Sequence, residues 1–419
     1  MIHHKYLIII FVLFISSCSN FLTWHLDKGI HRQANIEVGQ SSSQQINESK
    51  IISKIDISAT MVWSKSVNSG IEGNSAYLYT EKVNNNIYTI DTDGLLSSVE
   101  LTSGNINWSV PTNREISSGL SLLNNSICLG TANAKLICHD ISRLSSNTHT
   151  PLITSLSNLT KYSDYPADIE LDLVTELAAP AIGINNLFLL KLDNDDLYLV
   201  NPTDKKVIWK SESQNIPLRT KGSSKPLYLD NTVFIARDNG SVSSYNAIDG
   251  TLNWFTIISS RSGRNDLESQ RDAEMQITID KGILYYGHFQ GELSALDTKA
   301  GNILWTSPFS FISDIVIDNN SIYGSTSDNM LVSIDKASGF LNWKSMKSNQ
   351  LLTQPLIIND LVMAFTTEGT LAIFTKDGSL VYEKEFDLEI HPQTNFIQDG
   401  NKLYFQTIDG DIVHFKITL

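Results

Sequence analysis

A chain of 419 residues could hold two ordinary domains, yet all-β rings and barrels often run beyond the usual ~150 residues as one unit. Its 41% hydrophobic and 18% charged residues make a globular composition with enough apolar surface for a large core, which excludes global disorder. The 31 Lys and Arg stand against 45 Asp and Glu, and the resulting formal charge of −14 repels phosphate backbones. With no basic patch to override that charge, nucleic acid is not an expected partner.

The first residues read as an address. His3, His4 and Lys5 precede an apolar run from Tyr6 to Ile15, then Ser16, Ser17 and Cys18. Ten apolar residues fall well short of the ~20 that span a bilayer as a helix, and the basic, apolar, small order is that of a secretory signal over residues 1–17. Ile15-Ser16-Ser17-Cys18 resembles a bacterial lipobox, which implies diacylglycerol on Cys18 as the new N-terminus. Ser19 in place of Asp is permissive for the outer membrane. Residues 18–58 are polar and rich in Ser, Gln and Asn, so they read as a lipidated N-terminus and flexible tether.

From residue 59 to 419 one pattern repeats. It is a β-rich run, a tight turn, a second β-rich run, another turn, then Trp. Four full copies end at Trp108, Trp254, Trp305 and Trp343, each preceded by a turn containing Gly104, Gly250, Gly301 or Gly339. A degenerate copy at Asp204 to Trp209 lacks the Gly, and another at Asp377 to Tyr382 replaces Trp by Tyr. Trp254 to Trp305 is 51 positions, Trp305 to Trp343 is 38, and Trp343 to Tyr382 is 39, the range of four-stranded propeller blades. Counting strand pairs gives eight units, beginning near Asn86, Ser126, Asn186, Asn231, Gly282, Asn320, Asp360 and Asn401. The Ser/Thr/Asn-rich stretch from Ser145 to Asp164 reads as a surface insertion in the second unit.

The last unit stops at Leu419 without its outer strand, while Met61 to Val67 forms an orphan strand before the first. A ring must join its ends to remove exposed sheet edges. The expected fold is therefore an all-β, eight-bladed propeller of four-stranded antiparallel blades, closed by the N-terminal strand. Cys128 and Cys138 flank a hairpin tip; in an oxidising compartment they could pair, and two buried small residues are an equal reading.

Catalytic signals are sparse. The Asp and Glu residues before Gly94, Gly369 and Gly410 read as turn formers. His139, His149, His288, His391 and His414 lie far apart, without the spacing of zinc sites. No nucleophile elbow or phosphate-cradling loop appears, so the expectation is a non-enzyme with no cofactor, no metal and no catalytic residues. The repeat also resembles that of quinoprotein dehydrogenases, which implies a pyrroloquinoline quinone enzyme as an alternative, alongside another ligand-binding envelope propeller. Those enzymes need a planar aromatic platform and a calcium site, whereas packing between blades accounts for Trp at the ends of outer strands.

From about Met61 to the C-terminus the chain resembles the BamB family of outer-membrane assembly lipoproteins. The residues that carry this are Trp63 to Gly73, the segment Leu218 to Pro226, and the stretch from Ser262-Gly263 through Leu267-Glu268 to Asp272-Ala273-Glu274. The resemblance implies a scaffold in the β-barrel assembly complex, lipid-anchored in the outer membrane and facing the periplasm. In that family the two later loops bind the periplasmic POTRA region of the barrel-inserting subunit BamA, and unfolded outer-membrane proteins are a further implied partner. Carried over residue by residue, the partner-binding positions are Leu218, Thr220 and Lys221 on one loop, with Asp272 and Glu274 on the other. Thr220, Lys221 and Glu274 depart from the family's Leu, Arg and Asp. Lys keeps the charge of Arg but loses its planar fork.

Overall fold

The computed structural model describes residues 56–71, 80–146, 166–213, 224–259, 273–345 and 347–419. The signal, Cys18 and most of the tether lie outside them. The described residues form eight four-stranded antiparallel sheets, the expected propeller. Seven blades are continuous in sequence, at 81–111, 116–172, 182–211, 227–257, 278–307, 316–344 and 356–385. In the eighth, three C-terminal strands between Ile397 and Thr418 take Ser58–Ser66 as the fourth, with Ser58 opposite Thr418 and Ser66 opposite Asp411.

Seven blades open with a strand of two or three residues that the alternation pattern does not reveal, such as Glu81–Val83 or Thr278–Asp280, and blade 2 opens with the longer Ile116–Leu123. The first strands of blades 1, 2 and 3 contact one another in turn, which places them around the central axis. The second and third strands are almost wholly buried, as in Thr232–Arg237 and Ser241–Asn246. The fourth strands show their outer face to solvent, leaving Leu252, Phe255 and Ile257 exposed in blade 4.

A cross-strand triplet recurs inside the blades. In blade 1 Tyr88 stands opposite Ser98, which stands opposite Trp108. The same positions hold Phe234, Ser244 and Trp254 in blade 4, Tyr285, Ala295 and Trp305 in blade 5, and Tyr323, Ser333 and Trp343 in blade 6. The small middle residue lets the outer two rings approach to 5.9–6.1 Å between centroids, a favourable tilted pairing.

Each Trp then reaches into the next blade. The indole N–H of Trp254 donates to the Thr298 carbonyl at 2.9 Å, that of Trp305 to Lys336 at 3.2 Å, and that of Trp343 to Lys376 at 2.8 Å. The ring lies on the glycine of the receiving turn. At Gly301 the backbone has φ +69°, and a Cβ would sit 2.5 Å from the Trp254 ring, so both conformation and space demand glycine. Gly104, Gly250, Gly339 and Gly378 receive Trp63, Trp209, Trp305 and Trp343 in the same way. Trp63 on Gly104 is the seam between blade 8 and blade 1.

This relay explains the degenerate copies. Blade 2 has Ile169 at the Trp position, so the turn of blade 3 receives no indole, and Lys205 occupies the glycine site with φ 55°. Blade 8 has no turn between its third and fourth strands, because its fourth strand is the N-terminal Ser58–Ser66. Tyr382 of blade 7 accordingly meets the N-terminal strand, where its hydroxyl accepts the Ala59 N–H at 3.3 Å. In blade 2 the helix Ile141–Ser146 replaces the glycine turn, and its Leu144 is buried in the same cluster as Trp108.

Candidate interaction surface at one mouth of the ring

Alternation of strand direction puts two kinds of connection on one face of the ring: the loops between blades and the turns between second and third strands. The segments carrying the expected partner-binding residues are the loops before blades 4 and 5, so they are neighbours on this face. Leu218, Thr220, Lys221 and Asp272 themselves lie outside the described residues. The feet of both loops lie within them, and they are joined. Ser224 N–H donates to the Ala273 carbonyl at 2.8 Å, and Lys225 N–H to Gln276 Oε1 at 2.8 Å. Glu274 is half-buried, and its Oε2 accepts from Gln393 Nε2 at 3.1 Å. Gln393 comes from the loop before blade 8 and also donates to the Ile312 carbonyl at 3.1 Å, tying three loops together.

Under the joined feet lies a buried charged network that the sequence gives no warning of. Asp238 Oδ1 accepts the Ala273 N–H at 2.9 Å, and the Asp238 N–H donates to Asp195 Oδ2 at 3.0 Å. Lys191 Nζ sits 3.5 Å from Asp195 Oδ1 and donates to the Ala236 carbonyl at 3.2 Å. Arg237 donates to the Asp195 carbonyl, to Ser211 Oγ at 3.0 Å and to the Tyr245 hydroxyl at 3.3 Å. His288 Nε2 lies 2.9 Å from the Arg237 carbonyl. Lys191, Asp195, Arg237, Asp238 and His288 are all at most 3% exposed. These residues end the second strands of blades 3, 4 and 5 or lie in the turns that follow. In a sequence they look like ordinary strand ends and turn formers; only their buried positions in adjacent blades make them a unit.

Burial sets the electrostatics here. Desolvation pushes the Asp195 carboxyl up to about 6 against the opposing pull of Lys191. Nearer the axis, burial likewise raises Asp314 to about 6, opposed by the Gln276 N–H that it accepts at 2.7 Å and by Lys225. Lys225 is pushed down by burial, and its neighbours Glu81 and Asp314 oppose that shift. The feet of the two loops therefore stand on a buried, hydrogen-bonded network of charged groups. Across the ring, between blades 7 and 8, the face opens into a recess of 440 Å³ lined by Glu368, Glu385, Asp387, Glu389, Asp409 and Asp411. Among the described residues no group of three or more His, Cys, Asp and Glu is arranged to hold a metal ion.

A family model described as outer membrane protein assembly factor BamB matches residues 169–345, which include the foot of each loop. The chain is 23% identical to the outer membrane protein assembly factor BamB of Yersinia pestis over 363 residues, covering 85% of this chain and 89% of that one. It is 23% identical over 365 residues to the protein of the same name from Salmonella typhimurium, covering 84% and 88%. Among solved structures, BamB from Moraxella catarrhalis superposes with a TM-score of 0.71 at 18% identity, over 86% of this chain and all of that one.

Proposed function

The family model, the relatives and the shared fold support identifying the chain with the BamB outer-membrane assembly factors, and on that premise we propose that it is a non-catalytic, lipid-anchored scaffold that docks the POTRA region of BamA. The observation that supports this docking site is the direct hydrogen bond between Ser224 and Ala273, which joins the feet of the two loops. An apolar Leu218 together with charged Lys221, Asp272 and Glu274 supplies the residue types of a modest hot spot, where one truncation costs ~2 kcal/mol or more. The tryptophans that could otherwise suggest a cofactor platform are engaged at the seams between blades.

The test is co-purification from detergent-solubilised membranes. Leu218→Ala combined with Lys221→Glu abolishes recovery of BamA while thermal unfolding stays unchanged. Normal recovery with that double variant overturns the site. The anchor has its own test, because attachment through acyl chains on Cys18 makes the folded domain separable from the membrane. Cys18→Ala leaves the propeller folded and moves it to the soluble fraction; retention in the outer-membrane fraction removes the lipid from the account.

A further inference from the structure

We propose that the Cys128–Cys138 disulfide replaces the aromatic brace in blade 2, and that a disulfide-bearing dithiol oxidant installs it before blade 3 closes over the site. The two cysteines are bonded and stand directly opposite each other on the second and third strands of the blade. Register places them in the recurrent triplet. Cys128 holds the position of Tyr88, Phe234, Tyr285 and Tyr323; Cys138 holds that of Ser98, Ser244, Ala295 and Ser333; and Ile169 stands where Trp108, Trp254, Trp305 and Trp343 stand.

Blade 2 therefore lacks both rings of the brace, lacks the indole that would dock on blade 3, and carries a covalent bond at that same place. Both cysteines are 0% exposed. They lie in one cluster with Phe188, Leu190, Leu192 and Val200, all from blade 3. An oxidant can reach the thiols only while that seam is open, so oxidation belongs to assembly and not to the finished ring.

The chemistry balances by exchange. One cysteine thiolate attacks the oxidant's disulfide and displaces a thiolate, which takes up a proton. The second cysteine, as thiolate, attacks the mixed disulfide and releases the oxidant's other sulfur. Two protein thiols are oxidised to one disulfide, and the oxidant leaves as a dithiol. The full stability of the closed ring is thereby tied to an oxidising compartment.

The experiment uses the full chain, unfolded in guanidinium chloride, reduced, and refolded by dilution with either oxidised glutathione or excess reductant under anaerobic conditions. Chain refolded with the oxidant regains the native melting temperature, and chain refolded with reductant melts about 5 °C lower. Cys128→Ala with Cys138→Ala melts at the lower temperature in both. The chain with the brace added back, as Cys128→Tyr, Cys138→Ser, Ile169→Trp and Lys205→Gly together, melts above the chain carrying Cys128→Ala, Cys138→Ala and Lys205→Gly by at least about half of that loss. Peptide mapping of maleimide adducts at Cys128 and Cys138 shows the folded, oxidised protein resisting a reductant that fully opens the unfolded chain. Equal melting of the oxidised and reductant-refolded chains, or a rebuilt variant no more stable than the double alanine carrying Lys205→Gly, overturns the brace. Equal labelling of folded and unfolded protein overturns the order of events.

Discussion

At the scale of single residues, the occupant of each glycine site is decided by what the preceding blade delivers. Gly301 combines φ +69° with a Trp254 ring 2.5 Å from the place of a Cβ. Gly301→Ala adds left-handed strain to a steric clash at the seam, and a loss of about 2 to 4 kcal/mol is expected in denaturant unfolding. Lys205 is the contrasting case, with φ 55° and no indole arriving from Ile169. Lys205→Gly relieves the strain and stabilises by about 0.5 to 1 kcal/mol, the left-handed cost less glycine's extra chain entropy. Asp314 gives a second residue-level prediction. Its carboxyl is raised to about 6 by burial, so between its ordinary value and 6 the folded state binds more protons than the unfolded one. Its contribution to stability is greatest in acid and is lost as the pH rises through that window. Asp314→Asn keeps an oxygen for the Gln276 N–H and removes the titration; it flattens the decline in stability between pH 4 and 6.5 by about 2 kcal/mol, measured by unfolding at each pH.

At the scale of the strand and the blade, what the sequence reveals and what it hides follow from the range of the interactions. The Trp and Gly repeat is legible because each indole needs a glycine at a fixed place in the following unit, which imposes a period on the chain. The eight units and the closure by the N-terminal strand could be read from that period together with the missing outer strand at Leu419. The first strand of each blade was not legible. Three residues such as Thr278–Asp280 are too few to alternate, and in the eight-residue Ile116–Leu123 of blade 2 nearly every position is buried, so no alternation shows there either. In the sequence the units therefore read as beginning at their second strands, near Asn86 or Asn231. The network under the loops was hidden for a different reason. Asp195 and Asp238 lie 43 positions apart, and they touch only because blades 3 and 4 present the same turn side by side. Lys336 and Lys376 show the same principle on the opposite face. Each accepts an indole N–H from the preceding blade at its carbonyl and also sends its ammonium back to that blade, to Asp280 at 2.9 Å and to Asp318 at 3.2 Å. One residue thus fixes a seam twice, by a neutral and by a charged contact.

At the scale of the whole molecule, the ring has no free sheet end in its circuit, because Ser58–Ser66 completes blade 8 and Trp63 packs on the turn of blade 1. Deleting residues 61–67 removes most of that strand and the seam indole together. It leaves Asp411–Thr418 as an unpaired edge, and the expected result is aggregation or a large drop in melting temperature. A monomer with unchanged unfolding would mean that the ring is held shut elsewhere. The same pairing also governs synthesis. The segment that must complete the eighth blade is made more than three hundred residues before the strand it pairs with, so the earliest part of the propeller waits for the latest. A polypeptide cut short anywhere before Asp411 has no partner to offer Ser58–Ser66 and exposes two sticky margins at once. Closure of the ring is thus a late event by construction: its first strand keeps an open edge until synthesis has passed the last blade.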